Sequence, residues 1–196
     1  MDLEKDLVAY KPYNYQEEKD RSLLLDALRT EKDVFQRKNR FMHFTASAWV
    51  VNKDRTKVLL CFHRIYNSWS WLGGHADGEE DLAAVAAREI KEESGLRTIT
   101  LLSPRIYSLE SLTVDGHIKR GEYVSSHLHL NVTYLFEGDD TLPLLIKEDE
   151  NSGVKWFSKK DALLASTEPW FVEHVYTKLE DKLDSFSPRE EEKKIY

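Results

Sequence analysis

Residues 74–96 read GHADGEEDLAAVAAREIKEESGL and place five charged side chains within six positions of a predicted helix. Glu89, Glu92 and Glu93 follow an i, i+3, i+4 spacing, which puts three carboxylates on one helix face. Like charges at this spacing destabilise a bare helix by roughly a few tenths of a kcal/mol per pair. The cluster therefore indicates a bound cation, and a hard divalent ion such as Mg²⁺ or Mn²⁺ is the kind that carboxylate oxygens prefer.

The sequence also marks both ends of this helix. Asp81 is a predicted N-cap because its carboxylate can accept from the first turn, and Gly95 suits the left-handed C′ position. An apolar stripe of mostly small residues lies next to the acidic face: Ala83, Ala86, Ala87 and Ile90. Gly73, Gly74 and Gly78 precede the helix and permit a tight loop that a ligand can approach closely. The pattern predicts a helix seated on a sheet, with its carboxylates facing a cleft.

This stretch resembles the signature of the Nudix hydrolases position for position. The matching positions are Gly74, Glu80, Arg88, Glu89, Glu92, Glu93 and Gly95. The resemblance implies an α/β fold, the Nudix-type α/β/α sandwich with a mixed central sheet. It also implies hydrolysis of a diphosphate linkage with Mg²⁺ as cofactor, or Mn²⁺ in its place, because such ions neutralise phosphoryl oxygens and activate water. The metal ligands that it implies are the Gly73 backbone carbonyl and the carboxylates of Glu89, Glu92 and Glu93.

The remaining catalytic roles stay open from the sequence. Arg88 is expected to orient a carboxylate, either Glu80 or Glu89, rather than to react. Glu80 suits a distal metal ligand and a partner of Arg88 equally well. The general base in this family is a helix carboxylate or an acid from a loop, and Glu148 and Glu150 are the loop candidates because they precede strand 154–157. For either acid alone, a solvated acidic turn is the more common situation.

Candidates for substrate contact lie beside the paired glycines. Gly74 allows close backbone approach, and His75 follows directly and could face the phosphates. Trp69 could stack on a base, although packing explains it equally well.

Three further histidines give weaker indications of a functional role. His127 and His129 share one face of a predicted strand, which could bind metal or line a pocket. No cysteine or third histidine stands at a suitable spacing, so the sequence favours a pocket-lining or internally satisfied pair over a zinc site. His43 reads as a strand-edge residue without chemistry.

Composition is that of an ordinary enzyme domain of 196 residues. The net charge of −7 argues against a nonspecific grip on a nucleic-acid polymer. The single cysteine, Cys61, excludes an internal disulfide framework and suits a reducing compartment. The chain has neither an apolar run of about 20 residues nor a signal-peptide pattern. These features predict a cytoplasmic protein that acts on a small molecule without a membrane; a homodimer stays open.

Periodicity and turn residues predict the order of elements. Helices are expected at 15–39, where Thr30 and Asp33 could cap a second short helix, and at 159–165 and 169–183. Strands are expected at 43–51, 57–63, 68–72, 98–113, 125–137 and 154–157. The predicted organisation is a helical N-terminal extension (1–41), the hydrolase domain (42–183) and a charged, mobile tail (184–196).

Markers of substrate class are missing from the sequence. We find no proline at the distance typical of ADP-ribose hydrolases, no Ser-Gln-Pro-Trp run and no coenzyme A motif. This leaves a nucleoside diphosphate linked to another moiety, or a related small organic pyrophosphate. An isomerase of the isopentenyl diphosphate type generally needs a catalytic cysteine, which residues 71–75 lack. A nucleotide-sensing, non-catalytic protein often loses the signature carboxylates, which this chain retains.

Overall fold

The computed structural model describes residues 2–119, 121–146, 151–187 and 193–196. Its helices are α1 Leu3–Ala9, α2 Tyr15–Thr30, α3 Leu82–Ser94, α4 Lys159–Ala165, α5 Pro169–Phe171 and α6 Thr177–Ser185, with a π-helical turn at Val172–Tyr176 between the last two. Its strands are β1 Met42–Val51, β2 Lys57–His63, β3 Ser68–Ser70, β4 Leu72–His75, β5 Ile99–Leu101, β6 Ser108–Val114, β7 His117–Lys119, β8 Glu122–Val124, β9 His127–Gly138, β10 Asn151–Ser158 and β11 Lys194–Ile195. No described helix has the length and apolar character needed to cross a bilayer.

A mixed sheet forms the centre of the molecule, in the order β10-β2-β1-β9-β5-β11. The central strand β1 runs parallel to β9 over its whole length and antiparallel to both β2 and β4. Strand β6 pairs with β9, and β3 pairs with β2. Because β1 has partners on both sides, nearly all its residues are buried.

Helices cover both faces of this sheet, as the alternation of side chains along β1 shows. Phe44 and Val50 belong to the core cluster that includes the buried side of α3. Trp49 points to the opposite face and stacks on Tyr176, at a ring-centroid distance of 5.5 Å, in the cluster that includes α6. The predicted α/β/α sandwich with a mixed sheet is therefore confirmed.

The N-terminal extension is helical and packs against the sandwich. Leu7 of α1 and Leu24 of α2 are fully buried in the α3-side core. The buried Glu17 carboxylate lies 3.1 Å from the Lys178 ammonium and 3.2 Å from that of Lys182, both on α6. Ser108 of β6 donates to the same carboxylate at 2.9 Å. Apolar contacts and buried charges thus both attach the extension to the sandwich.

The helix predicted at 15–39 ends early. Helix α2 stops at Thr30, and Asp33 has a left-handed φ of 58°, so the second short helix does not form. The reason lies in the sheet, because Phe44 donates its N–H to the Val34 carbonyl and Gly78 donates to that of Phe35. Residues 31–39 therefore take irregular turns that hold the start of β1.

The single strand predicted at 98–113 is two strands. Pro104, which has no N–H, follows β5, and Arg105 donates its backbone N–H to the Ser103 hydroxyl instead of to a neighbouring strand. The expected strand 68–72 divides in the same way, since β3 pairs with β2 and β4 pairs with β1. Helix α1 lies within the predicted helical extension, before the helix expected at 15–39, and the β7–β8 hairpin lies where no element was predicted. Within the tail, whose mobility stays a prediction, Lys194–Ile195 pairs with β5.

Candidate active site

Helix α3 carries the clustered carboxylates and has the ends that the sequence predicts. The Asp81 side chain accepts from the Ala84 N–H at 3.1 Å, and Gly95 closes the helix with a φ of 75°. The small apolar residues of the stripe are all buried against the sheet. Glu89 and Glu93 are 9% and 4% exposed, whereas the Glu92 side chain is 43% exposed. The acidic face therefore runs from the protein interior at Glu93 to solvent at Glu92.

Glu93 is fixed by two donors from the sheet. The Gly73 N–H donates to Oε2 of Glu93 at 2.9 Å, and the Cys61 thiol lies 3.7 Å from Oε1. Burial, together with the Glu93 charge, raises the pKa of the Cys61 thiol well above its ordinary value. The thiol therefore stays protonated at neutral pH, and its single hydrogen can be donated to the Glu93 carboxylate or to the Trp71 carbonyl, which is 3.6 Å from Sγ.

The two glycines are necessary because the chain approaches its neighbours closely here. A Cβ on Gly74 would lie 2.5–2.8 Å from the Glu89 carboxylate. A Cβ on Gly73 would lie 2.6 Å from the Ala46 carbonyl oxygen and 2.8 Å from the Ser47 hydroxyl. Gly74 thus leaves room for a functional side chain, and Gly73 for the backbone of β1.

Arg88 orients the other two carboxylates. Its guanidinium donates to Oε1 of Glu89 at 3.0 Å and to the His75 carbonyl at 3.3 Å, and it lies 3.8 Å from Oε1 of Glu92. Of the two partners considered from the sequence, it therefore pairs with Glu89, while Glu80 is exposed before the helix. The guanidinium supplies part of the positive charge that the acidic face requires.

The structure leaves some predicted site residues apart from this group. Trp69 packs edge-on against Phe62 and Phe157, at ring-centroid distances of 5.5 and 4.8 Å. The His75 ring faces His43 and His129, 5.1 and 4.9 Å away, rather than the acidic helix. The loop candidates for the general base, Glu148 and Glu150, lie outside the described residues.

The predictions made from the sequence were least accurate for the histidines. The expectation that His127 and His129 lack a third partner is wrong, because His43 and His75 lie beside them. His43, expected at a strand edge without chemistry, is 4% exposed, and its ring packs against the rings of the other three histidines. The available signal was the position of His43, His127 and His129 on predicted strands; the pairing of β1 with β9 and with β4, which extends to His75, brings the four together.

The donor chemistry of α3 suits a hard divalent ion. Glu89, Glu92 and Glu93 present carboxylate oxygens, and the Gly73 carbonyl is of the same oxygen class. Among the described residues, however, the atoms of these three acids do not form a group that lies entirely within 4.8 Å. Gly73 holds Glu93, and Arg88 holds the other two acids. The three carboxylates share one helix face, and their oxygen ligands are of the type that a divalent ion prefers.

Fold and site together define an α/β/α hydrolase whose acidic helix faces a pair of glycines. Residues 42–179 match the sequence profile of the NUDIX domain, and the chain therefore belongs to the NUDIX family of pyrophosphohydrolases. Members of this family generally use divalent metal ions and act on small molecules.

Solved structures agree with this assignment. A hydrolase of the NUDIX family from Clostridium perfringens is 25% identical with a TM-score of 0.54, and the match covers 76% of this chain and 99% of that chain. RenU, a Nudix hydrolase from M. smegmatis, is 14% identical with a TM-score of 0.54, and the match covers 75% of this chain and 89% of that one. The second likeness shows the common fold. No curated protein matches the chain significantly.

Proposed function

We propose that this chain hydrolyses a diphosphate linkage with Mg²⁺ as cofactor, and that Mn²⁺ can replace it. The substrate is a nucleoside diphosphate linked to another moiety, or a related small organic pyrophosphate. The observation that carries the proposal is the position of Glu89, Glu92 and Glu93 on one helix that abuts Gly73 and Gly74. This combination places oxygen ligands beside a backbone that a phosphate can approach closely.

The proposed metal ligands are the three α3 carboxylates and the Gly73 carbonyl. When bound, the ion would neutralise the phosphoryl oxygens and lower the pKa of a coordinated water. The protein's own groups orient these ligands: the Gly73 N–H and the Cys61 thiol hold Glu93, and Arg88 holds Glu89. Such supporting contacts usually matter for metal affinity and turnover.

We propose Glu150 as the general base, one of the candidates that the sequence leaves open. Both oxygens of Glu93 already accept hydrogen bonds, which suits a ligand better than a proton acceptor. Glu89 is engaged by Arg88. A carboxylate from the loop before β10 is therefore the better proton acceptor, and Glu150 stands directly before the first residue of that strand, Asn151.

The proposed substrate contacts are the Gly74 backbone, the backbone of His75, and Trp69, because the His75 ring itself lies on the opposite face of the sheet. Gly74 is supported by its close packing on Glu89. The aromatic packing of Trp69 leaves this residue half-buried, which is compatible with an edge contact to a base. The net charge of −7 supports a small-molecule substrate rather than a nucleic-acid polymer. A cytoplasmic location and a homodimer remain predictions from the sequence.

A substrate panel tests the function. The full chain is incubated with nucleoside diphosphate sugars, dinucleoside polyphosphates, dinucleotides and small organic diphosphates, with Mg²⁺ and separately with Mn²⁺, and products are identified by mass. We expect release of a nucleoside monophosphate or a phosphate ester from at least one compound. An isomerase would instead return a product of unchanged mass, and a sensor would bind a compound tightly without turnover. Either outcome would contradict the proposal.

A further inference from the structure

Four histidines from three strands meet on one face of the sheet. We name them the histidine cluster: His43 of β1, His75 of β4, and His127 and His129 of β9. The ring centroid of His43 lies 5.1 Å from that of His75, 4.9 Å from that of His127 and 5.0 Å from that of His129. His43 is paired in register with His129 across the parallel strands, so both side chains leave the same face.

The histidine cluster is separate from the acidic helix. Gly74 faces Glu89, and successive residues of a strand point to opposite faces. The ring of the next residue, His75, accordingly lies on the other side of β4, against His43 and His129. The two groups of possible metal ligands thus belong to opposite faces of the sheet.

The ring nitrogen of His43 points to a ligand. Its Nδ1 lies 3.1 Å from the Asn39 carbonyl, which can only accept, so Nδ1 carries the proton and Nε2 carries a lone pair. His43 is 4% exposed, and its Nε2 has no hydrogen-bond partner among the described residues. A buried polar atom without a partner is unfavourable and rare in folded proteins. A metal ion would satisfy this lone pair, and the Asn39 contact is the kind that orients metal-binding histidines.

Hydrogen bonds also set the tautomers of His127 and His129. The Nδ1 of His127 donates to the Ser125 carbonyl at 2.8 Å, so its Nε2 accepts the 3.2 Å hydrogen bond from Nε2 of His129, whose lone pair is then on Nδ1. Neutral imidazole is the form that binds metal.

We propose that His43, His75 and His129 form a binding site for a divalent transition metal ion, with Zn²⁺ as its representative occupant. One ligand nitrogen from each lies within 4.8 Å of the others. Zn–N bonds of about 2.0–2.1 Å place tetrahedral ligand nitrogens roughly 3.3 Å apart, so modest ring rotations complete the site. His127 stands beside the three, hydrogen-bonded to His129, but is not part of the group whose nitrogens all lie within 4.8 Å. His75, His127 and His129 are only half-buried, which gives an ion access from solvent.

The histidine site differs in ligand type from the metal site proposed at Glu89, Glu92 and Glu93, which we call the carboxylate site. Imidazole suits Zn²⁺, Co²⁺, Ni²⁺ and Cu²⁺, whereas Mg²⁺ prefers oxygen ligands. The nearby Arg37 guanidinium is paired with the Asp77 carboxylate, which reduces its repulsion of an incoming cation. The site does not depend on the proposed hydrolysis, because binding can be measured without a substrate.

Cobalt titration tests the proposal directly. The full chain is stripped of metal with a chelator, placed in excess Mg²⁺ to occupy the carboxylate site, and titrated with Co²⁺. We expect visible ligand-field absorption that saturates at about one equivalent and disappears on addition of Zn²⁺. His43→Gln and His129→Gln should each weaken binding by more than the 10- to 100-fold that loss of a supporting contact costs.

Two controls locate the ion. His174→Gln removes a histidine outside the cluster, with a side chain 40% exposed, and Glu92→Gln removes a carboxylate of α3; both should leave the titration unchanged. Circular dichroism checks that the variants are folded. If a His variant fails to fold, ¹H–¹⁵N spectra of the wild-type imidazoles supply the readout, because Zn²⁺ should shift the ring nitrogens of the cluster and not those of His174. Absence of saturable Co²⁺ binding, or equal binding by His43→Gln and the wild type, would overturn the proposal.

Discussion

The backbone N–H of Gly73 donates a 2.9 Å hydrogen bond to Oε2 of Glu93, across 20 positions of sequence. This contact joins the glycine pair directly to the acidic helix. It holds a buried carboxylate in one orientation, and the Cys61 thiol holds its other oxygen. The carboxylate site is therefore organised by the sheet as well as by the helix.

Substituting the carboxylates separates catalysis from folding. Glu92→Gln should lower kcat at least about 100-fold, because loss of a metal ligand removes several kcal/mol of charge stabilisation in the transition state. Its side chain is 43% exposed, so the free energy of unfolding should change by less than about 0.5 kcal/mol. Steady-state kinetics at saturating Mg²⁺ and urea unfolding measure the two effects.

Glu93→Gln provides the comparison. Its amide has one acceptor and one donor, while the site offers two donors, Gly73 and Cys61, so one contact becomes unfavourable. We expect the same loss of kcat and, in addition, about 1–3 kcal/mol of destabilisation. If both variants kept wild-type kcat at saturating Mg²⁺, the assignment of these residues as ligands would be wrong.

The acidic helix could be predicted because its signals are local. Asp81 and Gly95 fix its ends through their own side chain and backbone, and the spacing of Glu89, Glu92 and Glu93 fixes its acidic face. The histidine cluster could not be predicted in this way, since its members are spread from position 43 to position 129. Their meeting depends on the parallel pairing of β1 with β9, which no spacing in the sequence specifies.

The two glycines should respond differently to alanine. Gly74→Ala places a methyl group against the end of the flexible Glu89 side chain, which can move away. We expect kcat to fall at least about tenfold with little loss of stability, since about 1.4 kcal/mol of lost transition-state stabilisation is enough. Gly73→Ala meets the fixed Ala46 carbonyl, so it should reduce the free energy of unfolding by about 1–3 kcal/mol.

Paired measurements of kcat and urea unfolding on these two variants supply each other's control. If Gly74 makes room for Glu89, the loss of kcat relative to the loss of unfolding free energy should be larger in Gly74→Ala than in Gly73→Ala. Equal ratios would show that Gly74 has no particular relation to Glu89.

Cys61 should affect turnover although it is 1% exposed and does not reach solvent. Cys61→Ala removes the donor to Oε1 of Glu93, and we expect kcat to fall about 10- to 100-fold, as for other contacts that orient a metal ligand. Cys61→Ser keeps a donor and should restore part of the activity. Both are measured over a range of Mg²⁺ concentrations after their folding is checked; equal kcat in the alanine variant and the wild type would exclude the orienting role.

The end of α2 at Thr30 and the break after β5 show a second limit of predicting secondary structure from the sequence. Helical periodicity continues past Thr30, yet Val34 and Phe35 use their carbonyls to hold β1 and the loop before α3. Tertiary hydrogen bonds of this kind override local helix propensity. Pro104 carried a local signal for the break after β5, which alternation of the surrounding residues concealed.

Glu17 of the extension is fully buried against Lys178 and Lys182, so its loss should destabilise the fold. Glu17→Gln leaves these lysines with fewer compensating charges, and we expect a loss of about 3–5 kcal/mol in the free energy of unfolding. Glu18→Gln, an exposed neighbour on α2, should change it by less than about 0.5 kcal/mol. Urea unfolding at neutral pH measures both.

The Glu17 carboxylate should also affect how steeply the free energy of unfolding falls at acid pH. Burial alone would raise the pKa of Glu17, but the charges of Lys182 and Lys178 outweigh burial and hold it below the ordinary value. Because the folded-state pKa is the lower one, the stabilisation is complete above the ordinary glutamate pKa of about 4.3 and is lost as pH falls through the folded value. The raised pKa of Lys178 acts only at alkaline pH, where its contribution is lost as pH rises. Unfolding free energy should therefore fall less steeply below about pH 4.3 in Glu17→Gln than in the wild type or Glu18→Gln. Parallel acid limbs in all three proteins would show that folding does not lower the pKa of Glu17.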